Sequence, residues 1–358
     1  MPPLVRFVLY RLAAIPVTLF IVTLVIYGFV MLTPPEMRAS LYYSPGLNPD
    51  RLSAAQIQAA TQRIIREKHL QEPFYVQYAY WMANILRGNW GWSPTLNDQV
   101  LEALLRRTPV TAELTLYSLL FFIPLGLVSG VTAAARRERP ADYGFRLMAF
   151  TATSLPTFVL AIVMLAVFYV ALHWFAPERL NLQNHLFLGS GQFRAYTGLL
   201  TIDGLLNGRW DISLDAARHL VMPVITLSLM HWATLGRVTR AAMIEELGKE
   251  YSMAARARGI SEIGVVWKHA FRNALTPALT SSALSAASLV TGVFIVEVIF
   301  RFQGISDVAV ISTRGVPDAP TVLGFAIYSV ILVLLLMLIL DVIQAAVDPR
   351  LRAGVLES

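Results

Sequence analysis

The residues best suited to chemistry are few and far apart in this chain. Histidines stand at positions 69, 173, 185, 219, 231 and 269 without metal-ligand spacing, and there is no cysteine, so neither a histidine cluster nor a thiolate site is predicted. No G-x-x-x-x-G-K-[ST] loop is present to cradle ATP phosphates, and neither H-E-x-x-H nor G-x-S-x-G occurs. The sequence therefore predicts no catalytic residue, and no cofactor or metal bound by this chain.

Composition indicates the medium in which the chain folds. Of 358 residues, 56% are hydrophobic and only 15% are charged, and the mean hydropathy is +0.57. A hydrocarbon core of about 30 Å needs about 20 apolar helical residues, and six runs are long enough. They are Leu12 to Leu32, Thr111 to Ala135, Met148 to Phe175, Leu220 to Met243, Leu279 to Phe300 and Thr321 to Val347. The expected fold is an all-α integral membrane protein with six transmembrane helices.

The positive charges predict the orientation in the membrane. The net charge is +6, but the arginines flank apolar runs and accompany no nucleic-acid-binding motif, so membrane lipid is the expected surroundings and nucleic acid is not an expected partner. Arg6 and Arg11 precede an uncleaved first helix, and arginines 136, 137, 139 and 146 fill one short connection. Both termini are thus expected in the cytoplasm. The predicted regions are 1–33 (N-terminus and first helix), 34–110 (an external segment with a helix from Ser53 to Leu70) and 111–358 (the core).

The polar stretch from Glu245 to Pro277 has internal order. Its pattern predicts two short amphipathic helices joined at Gly259, a position that suits a positive φ, with Ser261 capping the second helix. Pro277 is expected to mark where the following segment begins. On the first helix, one face is predicted to hold Ile244, Leu247, Tyr251, Ala255 and Arg258.

This stretch resembles the EAA loop of permease subunits of binding-protein-dependent ATP-binding-cassette (ABC) importers, and most closely the dipeptide, oligopeptide and nickel branch. The shared features are the run from Ala255 through Gly259 and the run from His269 to Pro277, read here as ARARG and HAFRNALTP. Met253 replaces the consensus glutamate, and HAFRNALTP replaces the usual I-x-L-P ending; both departures are usual in the peptide branch. Two amphipathic helices joined by a glycine are common in proteins of many kinds. The resemblance to this family therefore depends on the ARARG and HAFRNALTP runs at matching distances.

The resemblance implies that this chain works with separate partner subunits. A homologous second permease subunit, two ABC ATPase subunits carrying ATP and Mg, and an external solute-binding protein would complete an importer in a bacterial or archaeal inner membrane. It implies that the cytoplasmic loop couples to the ATPases through Glu250, Tyr251, Ala254, Ala255, Arg256, Ala257, Arg258, Gly259, His269, Arg272 and Asn273. Peptides are the expected solute, with nickel or another small solute as the alternative.

Further family-like motifs lie along most of the chain. The third run contains S-L-P-x-F, in which Ser154 and Pro156 are candidates for the solute pathway, and the chain ends in D-P-R-x-R from Asp348. The match is weakest at 303–306 and at 314–317. The tryptophans and tyrosines of 74–93 fit an interfacial belt better than a ligand site.

Glu297 is the most informative ionisable residue, since it lies in the fifth apolar run. A carboxylate in hydrocarbon is unfavourable unless it faces other helices, a cavity or the interface. The sequence leaves open whether Glu297 lies beside the pathway or at the outer headgroups. An ion-coupled secondary transporter, the second class considered, usually has several such groups and internal repeats; the chain offers chiefly Glu297 and Asp341, and no repeat is evident.

Overall fold

The computed structural model describes residues 3–42, 53–312 and 318–347, and these are almost entirely helical. The early helices are α1 (Pro3–Val30), α2 (Pro35–Ala39), α3 (Ala54–Glu67) and α4 (Phe74–Leu86). A two-residue hairpin follows, in which β1 (Trp92–Ser93) pairs antiparallel with β2 (Asp98–Gln99). The helices after it are α5 (Val100–Ala135), α6 (Pro140–Ser154), α7 (Thr157–Met164), α8 (Leu182–Gly189), α9 (Leu200–Leu206), α10 (Trp210–Leu247), α11 (Glu250–Ala257), α12 (Glu262–Gly264), α13 (Phe271–Ile299), α14 (Ile305–Ser312) and α15 (Ala319–Val347).

Within these described ranges, five helical stretches are long and apolar enough to cross a membrane. They are Val8–Val30, Val100–Ala135, Trp210–Leu247, Glu262–Ile299 and Ala319–Ala346. A sixth span is available if α6 and the helix Thr157–Ala171 count as one crossing, although they meet at 102°. The expectation of an all-α membrane protein is confirmed, and the chain is a multi-pass membrane protein.

The third apolar run departs from its predicted form. It was expected as one span from Met148 to Phe175, whereas the helix breaks at Leu155 and α7 restarts after Pro156. The reason is local: proline lacks an N–H, and its ring pushes the preceding residue out of the helical region. Leu155 accordingly has φ −97° and ψ 120°.

The described residues form two compact units. The first contains those within Met1–Val8, Val110–Gln303 and Leu336–Ser358, and the second those within Leu9–Pro109 and Gly304–Leu335.

The core of the first unit lies between α5, α6, α7, α10 and α13. Buried Leu114, Leu235 and Leu289 belong to one apolar cluster that includes all five helices. Helices α5 and α10 approach closely at glycine, since a Cβ on Gly130 would lie 2.6 Å from the Gly236 carbonyl oxygen. Small residues permit such approach between membrane helices, where dispersion contacts drive association.

The second unit is held together by aromatic packing and polar ties. Tyr27 of α1 stacks on Trp81 of α4 with ring centroids 4.8 Å apart. Asp318, before α15, accepts hydrogen bonds from Ser93 and from Thr95, the latter at 2.5 Å. The predicted helix after Ser53 is confirmed as α3, with Ser53 forming a capping box with Gln56.

Candidate functional site: the coupling stretch and the buried carboxylates

The turn around Gly259 has the predicted local geometry. Helix α11 ends at Ala257, Gly259 has φ +77°, and the Ser261 hydroxyl caps the next helix by accepting from the Gly264 N–H at 3.3 Å. Glycine adopts this left-handed conformation without the Cβ penalty that other residues carry. The chain therefore turns within the four residues between α11 and α12.

Three expectations for this stretch were wrong in detail. Helix α10 ends at Leu247, so the face expected to run from Ile244 to Arg258 is divided between two helices. The second amphipathic helix continues through a π-helical segment, Val265–Ala270, into α13, and the two form one helical stretch, Glu262–Ile299. Pro277 lies inside α13 rather than at its start. Proline is tolerated within membrane helices where neighbours satisfy the freed backbone groups.

Polar contacts attach α11 to the end of α10. The Ser252 hydroxyl, fully buried, donates to the Glu246 carbonyl oxygen at 2.8 Å, and the Tyr251 hydroxyl donates to the Glu246 carboxylate at 2.6 Å. Burial raises the pKa of Tyr251, so its hydroxyl remains a donor at neutral pH. The Asn273 side chain of α13 lies beside the same hydroxyl. Tyr251 thus links the last turn of α10 with the start of α13.

An apolar cluster lies beneath this attachment. Its buried members come from the ends of α5 and α10, from the π-helical segment and from the start of α13: Val131, Ala134, Met243, Val266, Ala270 and Ala274. Because protein interiors are close-packed and transmit strain, a displacement of this cluster acts on three long helices together.

The outward surface of α11 differs from expectation at one position. Ala255 was expected on the surface that meets a partner, but it is 3% exposed and packed against its own chain. The exposed residues are Met253, Ala254, Arg256, Ala257 and Arg258. Of the remaining predicted coupling residues, Glu250, Gly259 and Arg272 are exposed, while Tyr251, His269 and Asn273 are half-buried.

Glu297 lies inside the bundle and not at its surface. Its exposure is 0%, and the Thr111 hydroxyl of α5 donates to its Oε1 at 2.5 Å. A buried carboxylate at the end of α13 is thereby connected to α5. Ser154 and Pro156, the other pathway candidates, are exposed and lie on either side of the bend.

A second buried carboxylate, Glu113, was missed by the sequence reasoning. Its side chain is 2% exposed; Arg179 pairs with Oε2 at 2.5 Å, and Oε1 accepts from the Thr201 N–H at 2.9 Å and hydroxyl at 2.7 Å. Arg179 precedes α8, and Thr201 lies in the first turn of α9. The sequence signal for this residue was a carboxylate near the start of an apolar run. It could not reveal the partners of Glu113, because they lie 66 and 88 residues away in the chain.

Asp142 and Arg240 form a further buried pair that sequence reasoning did not identify. The guanidinium donates twice to the carboxylate, at 2.5 and 2.7 Å, and Asp142 is fully buried. This two-point contact fixes the start of α6 against α10, because a planar guanidinium matches both carboxylate oxygens. In the described residues, no group of three or more histidine, aspartate or glutamate side chains is arranged to hold a metal ion.

Comparison with known proteins identifies the family. The model of the family "binding-protein-dependent transport system inner membrane component" matches residues 123–353. The chain is 32% identical over 352 residues to the di/tripeptide transport system permease protein DppB of Pseudomonas aeruginosa, covering 98% of this chain and 99% of the relative. It is 28% identical to the dipeptide transport system permease protein DppB of Escherichia coli, with the same coverage of each chain. It is 30% identical to the oligopeptide transport system permease protein AppB of Bacillus subtilis, covering 82% of this chain and 86% of the relative. With its apolar helices and this full-length similarity, the chain belongs to the inner membrane components of binding-protein-dependent transport systems.

Proposed function

We propose that this chain is one of two permease subunits of an ABC importer that moves di- and oligopeptides into the cell. The relatives named for peptide transport align with nearly the full length of the chain, which supports the substrate class. The chain contains no phosphate-binding loop of its own. ATP and Mg are bound by two separate ATPase subunits, and a homologous permease supplies the other half of the pathway.

The observation that carries this proposal is the position of α11. Its exposed side presents small and basic residues, while its buried side is hydrogen-bonded to the end of α10 and to the vicinity of α13. An amphipathic helix of this form fits a groove on a partner. Closure of the ATPases displaces α11, and the apolar cluster passes that displacement to α5, α10 and α13, which switch the bundle as rigid bodies.

Topology follows from the same assignment. The coupling stretch, both termini and the arginine-rich connection lie in the cytoplasm, and the segments 34–110, 176–218 and 301–320 lie outside, where the solute-binding protein docks. A single cysteine at exposed Ser53 tests this, because the chain has no other cysteine. An impermeant maleimide should label Ser53→Cys in intact cells. Labelling that requires permeabilised cells would reverse the topology.

Crosslinking tests the coupling role. Met253 and Arg256 are exposed on α11, so Met253→Cys and Arg256→Cys should each crosslink to cysteines in the ATPase groove. Leu186→Cys, exposed on α8, is the matched control and should not crosslink. If neither α11 position crosslinks while the complex hydrolyses ATP and transports, α11 is not the coupling element.

Uptake measurements test the substrate and the energy source. Cells carrying the complete system should accumulate a labelled dipeptide, and accumulation should persist under a protonophore while ATP is maintained. Nickel uptake without dipeptide uptake would contradict the proposed substrate. Loss of uptake under the protonophore at constant ATP would instead favour an ion-coupled transporter.

A further inference from the structure

A cavity in the second unit has the properties of an anion site. Its volume is about 230 Å³, and its walls are formed by α4, the β1–β2 hairpin, the first turns of α15 and the residues after α2. Three tryptophans, Trp81, Trp90 and Trp92, line it together with Lys68 and Tyr42. Among the residues described around it, none of the lining side chains is acidic.

Lys68 supplies a positive charge to this cavity. Its ammonium donates to the Tyr80 hydroxyl at 3.0 Å and lies 5.9 Å from the centroid of the Tyr42 ring. The neighbouring carboxylate of Glu67 pairs with Arg63 at 2.6 Å. Within the described part of the chain, Lys68 has no carboxylate oxygen within 4.0 Å, so its charge is available to a ligand.

A second cation, Arg38, lies close to the cavity wall. Arg38 is only 7% exposed; its guanidinium contacts the Gln77 amide oxygen at 2.6 Å, and its Nε has no hydrogen-bond partner. The described residues place no carboxylate within 4.0 Å of it. Burying a cation without a compensating anion is unfavourable. The described residues thus place two cations here without a carboxylate oxygen within 4.0 Å of either one.

Tyr42 connects the two cations. Its hydroxyl is buried beside that of Tyr27. Burial raises the pKa of Tyr42, while the positive charge of Arg38 acts in the opposite direction. The Tyr42 hydroxyl is therefore protonated and buried next to Tyr27, and the rest of the Tyr42 side chain lines the cavity.

The position of the cavity indicates where its ligand comes from. Pro320 lies in the first turn of α15 and Gln99 directly precedes α5, and both helices are candidate spans. The cavity therefore lies beside the start of the α15 span, and the membrane–water interface is expected near the start of a span. Tryptophan and tyrosine are enriched at that depth, and lipid phosphates occupy it.

We propose that this cavity binds the phosphodiester headgroup of an anionic phospholipid, held by Lys68 between the tryptophan rings, with Arg38 adding to the positive potential. A lipid, unlike a soluble anion, is already concentrated at this depth of the membrane. Inorganic phosphate is also an anion, but it is not concentrated in the membrane and has no acyl chains. Comparing it with a phospholipid therefore distinguishes a lipid site from a site for a free anion.

Native mass spectrometry of the purified full-length chain, titrated with short-chain phosphatidylglycerol, tests the proposal. Lys68→Gln should weaken retention of the lipid about fivefold, the effect of one lysine near a lipid phosphate. Lys68→Arg should restore it. Arg66→Gln is the matched control, since it removes an equal charge from an exposed position of α3 and should leave retention unchanged.

Two further arms separate the alternatives. Short-chain phosphatidylcholine should bind more weakly than phosphatidylglycerol at equal concentration, and inorganic phosphate alone should not displace the bound lipid. Equal retention in Lys68→Gln and Arg66→Gln would overturn the proposed site. Displacement of the lipid by inorganic phosphate at matched concentration would show a site for a free anion and overturn the lipid assignment.

Discussion

Two connecting segments of the first unit are attached to the long helices in different ways. The α11 segment is attached by hydrogen bonds to one turn of α10 and by surface ion pairs such as Arg256–Glu262, at 2.8 Å with side chains 36% and 68% exposed. The segment 172–209 is attached through Glu113, which is buried and receives three polar contacts. Surface pairs contribute little, whereas breaking a buried pair is strongly destabilising.

This difference indicates which segment can exchange its contacts. The ion pair of α11 can separate and form again with a partner at small cost, because water solvates both charges. The segment 172–209 has additional attachments: the Glu178 N–H donates to the Phe300 carbonyl oxygen at 2.7 Å, and Arg218 donates to the Trp174 carbonyl oxygen at 2.6 Å. We expect α11 to change its contacts during transport and the segment around Glu113 to keep them.

The largest effect is expected from Glu113→Ala. The change leaves Arg179 without its partner and removes the acceptor for Thr201, so the free energy of unfolding should fall by about 3 kcal/mol, the lower end for a broken buried pair because Arg179 is partly exposed. Thermal unfolding of the purified chain in detergent measures it. The control is Arg209→Gln, which removes a more exposed pair with Asp211. Equal melting temperatures for Glu113→Ala and Arg209→Gln would show that the buried Glu113 contacts hold the segment 172–209 no more firmly than an exposed ion pair does.

The next effect is expected from Ala255→Glu. Since Ala255 is buried, an added carboxylate has no space or partner there, and unfolding should become easier by about 2 to 3 kcal/mol. Ala254→Glu, one position away and exposed, should fold normally yet weaken association with the ATPase. The measurements are melting temperature and co-purification of the ATPase, with Ala59→Glu on α3 as the control. Normal folding of Ala255→Glu would contradict the burial of Ala255.

A smaller effect on folding is expected from Glu297→Gln. Glutamine keeps the acceptor for Thr111, so the free energy of unfolding should change by less than about 1 kcal/mol. Loss of the charge should alter uptake or the ATP hydrolysed per solute transported, as is usual for an intramembrane carboxylate. Glu102→Gln, exposed in the first turn of α5, is the control. Unchanged transport by Glu297→Gln would assign Glu297 a structural role only.

The smallest effect is expected from Arg256→Gln. Its ion pair with Glu262 is exposed, so stability should change by about 0.5 kcal/mol or less. Any larger change should appear only when the ATPase is present, as a reduced melting temperature of the complex. A large loss in the isolated chain would show that α11 is held more firmly than its surface contacts indicate.

The sequence alone determined the features that depend on residues close together in the chain. Apolar runs of sufficient length predicted the spans, because each must satisfy its backbone hydrogen bonds within the membrane. Gly259 and Ser261 predicted the turn and cap between α11 and α12, since a positive φ and an N-cap hydroxyl are local requirements. The helix after Ser53 was also predicted from the sequence, although its capping box appears only in the structure.

Only the tertiary structure decided the features that depend on contacts between residues far apart in the chain. Ala255 is buried while Ala254 is exposed because of how α11 rests on its own chain. Periodicity placed Ala255 on one face of the helix, but it did not determine whether that face meets this chain or a partner. Glu113 gains its partners from segments 66 and 88 residues away, so its sequence surroundings carry no record of them. Pro156 bends one helix whereas Pro277 remains within another. The outcome for each proline depends on whether packing against neighbouring helices offsets the lost hydrogen bond, and that packing exists only in the folded chain.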